Sequence, residues 1–229
     1  MKKLSVTMTQ TEKLIGWIYY PIQLFALPFL ITLINLSAGS VLSDSWINII
    51  YFCINFLCVG LIFRGFLTQN AKIAAEAPFR CLRYAFVGIL AYWLLSYVVQ
   101  LFIAFVDPDF FNVNDAYLGN IVQDNYLLMS IGTVFLVPVA EEALYRGLIF
   151  GQIYNRNRLA AYAISSSLFA VIHVISYIGL YDPMLLALCF LQYLPAGLCL
   201  GWVYAKADSI WAPILMHITI NQIGMFSIR

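Results

Sequence analysis

The feature that most constrains this chain is a series of long stretches with almost no charge in them. A helix needs roughly 20 apolar residues to cross a ~30 Å hydrocarbon core, and hydropathy yields about seven stretches of that order. They run over 14–37, 46–63, 84–106, 126–150, 159–180, 183–205 and 209–226. A soluble fold could not hide them: 63% of the 229 residues are apolar and 10% charged, where a soluble domain carries about a quarter charged. The sequence therefore predicts an all-α, multi-pass transmembrane helical bundle of about seven or eight helices. The first stretch is too long for the apolar region of a signal peptide and has no evident cleavage site, so it reads as a membrane helix. A net charge of +1 gives no reason to expect a nucleic-acid partner.

Loop charge predicts the orientation. With the N-terminus in the cytoplasm, the inner segments hold Lys2, Lys3, Lys13, Arg64, Lys72, Arg80, Arg83, Arg156, Arg158 and Lys206. The outer segments then hold Asp44, Asp107, Asp109, Asp115, Asp124 and Asp182, with Arg229 their one cation. That is the positive-inside distribution of a cell-membrane protein. Residues 65–83 mix cations with Phe66, Leu67, Ile73 and Phe79, and read as an inner loop or a short interfacial helix. Residues 107–125 are acidic, aromatic and outward. The five cysteines form no C-x-x-C pair and read as small buried hydrophobes.

The informative residues are polar ones inside the apolar stretches. Glu141 and Glu142 are followed by Arg146, and a charge at the centre of a bilayer costs at least ~2.5–3.5 kcal/mol. Two adjacent carboxylates imply a protein-lined or wet site. On a helix, Glu142 and Arg146 lie about 40° apart and can pair, whereas Glu141 lies about 140° from Arg146 and is left for chemistry. The chain has two histidines, and both fall in apolar stretches. His173 ends Phe169-Ala170-Val171-Ile172-His173. His217 begins His217-Ile218-Thr219-Ile220-Asn221, which sets an imidazole and a carboxamide on one helix face.

Glu141-Glu142-x-x-Tyr145-Arg146, Phe169-x-x-x-His173 and His217-x-x-x-Asn221, in that order, resemble the three signatures of the CPBP (Abi) intramembrane proteases. That family includes the type II CAAX prenyl endopeptidases, and Ser209–His217 resembles its bacterial branch. The resemblance covers 126–226, which would be the protease core, with 1–125 as N-terminal membrane helices of one continuous membrane domain. It implies an intramembrane endopeptidase acting on peptide or protein substrates in or at the membrane. Its bacterial members are linked to bacteriocin self-immunity and to maturation of secreted peptides.

Carried over position by position, the resemblance implies that Glu141 activates water and His173 shares its proton. His217 and Asn221 would stabilise the oxyanion, while Glu142 and Arg146 would hold the helix. The chemistry of these residue types agrees. Desolvation makes a carboxylate a stronger base, and a His and an Asn one turn apart can donate two convergent hydrogen bonds. Glu141, His173 and His217 could instead bind Zn²⁺. There is, however, no His-Glu-x-x-His pair of ligands, and an Asn suits an oxyanion better than zinc, so the preferred expectation is a reaction without a cofactor. Two other readings use the same residues: a non-catalytic scaffold or immunity protein of the same fold, and a small-solute or proton transporter. One count resists the protease model. At 1.5 Å per residue, Glu141 and His217 lie ~12–14 Å from the inner face but His173 ~20 Å, so tilt or a later start of the fifth helix is needed.

Overall fold

Thr9 and Glu12 open the first helix by a reciprocal capping box: the Glu12 amide donates to the Thr9 hydroxyl and the Thr9 amide to Glu12 Oε2 (2.8 Å). Both groups satisfy amides that a helix start would otherwise leave bare. The other oxygen of Glu12 accepts from the Phe66 amide (2.7 Å), pinning the start of this helix to a later segment. The computed structural model describes residues 3–228; Lys2 and Arg229, named in the charge distribution above, lie outside them.

Among the described residues the chain is helical with no strand, and five helices are long and apolar enough to cross a membrane. These are α1 (Gln10–Ser37), α2 (Asp44–Ile62), α4 (Pro78–Val106), α6 (Tyr126–Tyr154) and α8 (Pro183–Ala207). Between them lie α3 (Arg64–Glu76), α5 (Val113–Val122) and α7 (Arg158–Ile172), and α9 (Trp211–Ile228) closes the chain. This is a multi-pass membrane helical bundle. The segment 65–83 resolves into the amphipathic helix α3 followed by the start of α4, and 107–125 contains α5.

One expected crossing is corrected. The stretch 159–180 is not a spanning helix: α7 has 15 residues, about 22 Å at 1.5 Å per residue, short of the ~30 Å core. It ends at His173, and the chain continues through a short 3₁₀ turn at Ile175–Tyr177 and a glycine turn with Gly179 at φ 84°. Hydropathy overcounted because Val174–Leu180 is largely apolar without continuing the α-helix.

The helices divide by surroundings. Only 6% of the α4 window is buried, against 44% for α6 and 50% for α8, so α4 presents its residues to lipid and α6 and α8 form the middle. One core cluster joins Tyr19, Val59, Phe63 and Phe66 to Leu144, Tyr145, Phe150, Leu200 and Met216. Small residues let the helices close in, as membrane packing requires: a Cβ on Gly197 would sit 2.8 Å from Ser166 Cα of α7.

The two ends also differ. At one, Ser5 bonds to Asp208, the Leu4 amide to Asn155 (3.1 Å) and the Trp211 indole to the Leu67 carbonyl (3.2 Å). This end gathers Lys3, Arg64, Arg156, Arg158 and Lys206. At the other, Ser45 bonds to the Ile121 carbonyl (2.5 Å) and Asn112 to Gln192 (2.6 Å), near Asp44, Asp115 and Asp182.

Candidate active site

The site is built on a stretch of α6 that is not a regular α-helix. Pro138 lacks the amide that would bond one turn back, and the chain widens into a π turn at Gly132–Leu136 just before it. A second π stretch covers Ala143–Phe150. Such wide turns recur at functional sites. Within this one, the Tyr145 carbonyl accepts from the Ser165 hydroxyl of α7 (2.8 Å), a partner a membrane interior requires.

Glu142 and Arg146 are both fully buried, with Arg146 Nη1 3.1 Å from Glu142 Oε1. Arg146 Nη2 donates to the Gly197 carbonyl of α8 (3.3 Å), and the guanidinium lies over the Phe169 ring, 4.5 Å from its centroid. The same Glu142 oxygen is 2.9 Å from His217 Nδ1 of α9. Glu142 is thus the acid at the centre of a knot tying α6 to α8 and α9.

Glu141 points elsewhere. Its side chain is 17% exposed, against 0% for Glu142, and its Oε2 lies 3.8 Å from His217 Nε2. That separation lets both atoms reach one water oxygen at ordinary hydrogen-bond length, about 2.8 Å.

The histidines are held so that one nitrogen of each stays available. His173 Nδ1 is 2.8 Å from the Phe169 carbonyl. A carbonyl only accepts, so Nδ1 carries the proton and Nε2 of the neutral ring is a lone pair. His217 Nδ1 faces a carboxylate oxygen and likewise donates. Phe169 joins the two: its ring packs 4.9 Å from His173, 5.7 Å from His217 and 5.7 Å from Tyr145. A later start of α7 does not account for the depth count, because the helix begins at Arg158; the two histidines nonetheless meet on the Phe169 ring. Asn221 Nδ2 donates to the Thr133 carbonyl (2.8 Å), inside the first π turn, and its second amide hydrogen is not used by that bond.

Among the described residues no three His, Cys, Asp or Glu side chains come together as a ligand group for a metal ion. An apolar groove of about 690 Å³ includes Phe56, Leu67, Val139, Trp211, Leu215 and Ile218 in its lining, and none of Glu141, His173, His217 or Asn221. Val139 and Ile218 share helices with Glu141 and His217, but steps of two residues and one residue turn the side chain by about 200° and 100°, so the groove opens on another face of these helices.

Sequence reasoning missed Phe169 as the shared ring, Thr133 as the Asn221 acceptor, and Gln192-Tyr193, the last a polar pair inside an apolar helix and therefore visible as an anomaly. Fold and site together define a membrane helical bundle with a buried Glu–Arg–His knot beside an accessible glutamate. Residues 123–223 match the family described as "Type II CAAX prenyl endopeptidase Rce1-like", in agreement with the resemblance carried by the three motifs. The chain is 31% identical over 96 residues to "Putative membrane peptidase YdiL" of Bacillus subtilis (strain 168), covering 41% of this chain and 34% of that protein. It is 33% identical over 94 residues to "UPF0177 protein YxdF" of Lactococcus lactis subsp. lactis (strain IL1403), covering 41% of this chain and 46% of that protein. The aligned stretch therefore spans less than half the length of either relative. No solved structure matches.

Proposed function

We propose that this protein is a membrane endopeptidase that hydrolyses a peptide bond with water activated by Glu141. The observation that carries the reading is the division of labour between neighbouring acids: Glu142 is sealed and paired, while Glu141 is accessible and 3.8 Å from His217 Nε2. Glu141 takes a proton from water as the oxygen adds to the substrate carbonyl carbon. His173, its Nε2 free, shares that proton, which passes to the leaving nitrogen as the C–N bond breaks. His217, held through Nδ1 on Glu142, serves as one donor to the oxyanion from its Nε2 edge. The spare hydrogen of Asn221 gives the second donor. No metal is required.

The apolar groove lined by α6 and α9 suits hydrophobic segments, so we place the substrates among membrane-associated or secreted peptides, in line with roles in peptide maturation or self-immunity. The basic end faces the cytoplasm in this reading, which puts the N-terminus there and the chain in the cell membrane. The test is cleavage of quenched-fluorescent apolar peptides by purified protein in proteoliposomes. Wild-type cleavage lost in Glu141→Gln supports the assignment. A folded wild-type protein that cleaves no member of a broad peptide library would make it a non-catalytic scaffold.

A further inference from the structure

The position of His173 raises a mechanical problem. It sits at the very end of α7, where the backbone leaves the helix, so its own helix supports it from one side only. The Phe169 carbonyl holds Nδ1, and the Phe169 ring packs at 54° to the imidazole. A His ring otherwise turns about a broad, two-fold χ2 torsion. Its remaining face is covered by Tyr193 of α8, stacked with ring centroids 4.1 Å apart and planes 23° from parallel.

Tyr193 is itself tied down from outside the segment that carries the family match. Its hydroxyl accepts from Asn114 Nδ2 (3.2 Å) and has Asp115 Oδ1 (3.1 Å) and Asn112 Oδ1 (3.2 Å) as acceptors for its single proton. All three belong to the start of α5. Asn112 caps that helix, accepting from the Asn114 and Asp115 amides, and also donates to Gln192, the neighbour of Tyr193 (2.6 Å). Two consecutive residues of α8 are thus bonded to the first turn of α5.

We infer that Tyr193 is a positioning residue for His173: its ring, anchored by the first turn of α5, locks the imidazole so that Nε2 is the nitrogen presented to the reacting groups. The role rests on the endopeptidase reading, but the clamp itself does not. Misplacing a reacting group by about 1 Å typically costs on the order of 10²-fold in rate. Loss of the stack should therefore lower kcat and leave KM nearly unchanged.

The presence of two histidines in the chain makes the clamp directly observable. The whole protein, labelled with ¹³C,¹⁵N-histidine in detergent micelles, gives two imidazole signal sets, assigned with His173→Gln and His217→Gln. In Tyr193→Leu, the His173 ring signals should move downfield as aromatic shielding is lost, and should broaden, while those of His217 stay in place. The same variant should lose on the order of 10²-fold in kcat with KM nearly unchanged. Tyr193→Phe keeps the stack and should restore the His173 signals and most of the rate. If Tyr193→Leu does not fold, Tyr193→Met carries the same two readouts. Unmoved His173 signals overturn the clamp. Moved signals with unchanged kcat, or a loss in KM alone, overturn its part in the reaction. A wild-type protein that cleaves nothing overturns the endopeptidase reading and the positioning role with it, while the labelled signals still decide the clamp.

Discussion

Glu142 and Glu141 are adjacent in the chain, yet the region around the first is closed and the region around the second is open. Around Glu142, an arginine, a histidine and a backbone carbonyl of three different helices meet with no exposed side-chain surface on the acid or the arginine. Around Glu141 there is a partly exposed carboxylate and an imidazole edge 3.8 Å away. The difference shows how one helix can hold a sealed charge and a partly exposed one in successive residues. The side chains leave the helix about 100° apart, and the packed neighbours decide which is sealed.

Experiments that separate the two regions should differ in kind as well as size. Glu141→Gln removes the base and keeps the shape. Cleavage should fall by at least ~10²–10⁴-fold, to below detection, while the protein inserts and melts as wild type does. Cleavage retained in this variant but lost in Glu142→Gln would reverse the two roles.

Arg146→Ala should fail in the opposite way. Breaking one side of a buried pair typically costs ~3–5 kcal/mol. Since Glu142 keeps its bond to His217, the low end of that range is expected, read as an early thermal melt in detergent and poor expression. A robust but inactive Arg146→Ala would move Arg146 into the reacting set.

Asn221→Ala lies between the regions. Losing one oxyanion donor is typically worth ~10²–10³ in turnover. The bond to the Thr133 carbonyl adds a structural cost of about 1 kcal/mol. The variant should be slow and only slightly less stable, which melts and kinetics run side by side can separate. The smallest effect is expected from exhaustive chelation. Activity should persist, with zinc below stoichiometric by elemental analysis. Loss on chelation restored by zinc would turn His173 and His217 into ligands.

Much of this was legible from local spacing. Glu142 and Arg146 are four residues apart, and so are His217 and Asn221. Such pairs share a helix face whatever the rest of the fold does. The apolar stretches announced a membrane bundle because burying a backbone in lipid admits few other structures. The end of α7 was not legible, since Val174–Leu180 is as apolar as a helix and only its turns set it apart. Nor was His217 beneath Glu142, which joins residues 75 apart.

The sequence by itself determined the solvent this protein needs, the helices that solvent demands and the short list of polar residues worth the cost of placing there. These follow from composition and local geometry, where each residue answers only to its near neighbours and to lipid. Only the tertiary structure decided which acid is sealed, which nitrogen of each histidine is free, and that the first turn of α5 holds the tyrosine against His173. Those choices belong to contacts between helices distant in the chain. A side chain's hydrogen-bond partners and exposure are set by what packs against it, and no spacing along one helix contains that information.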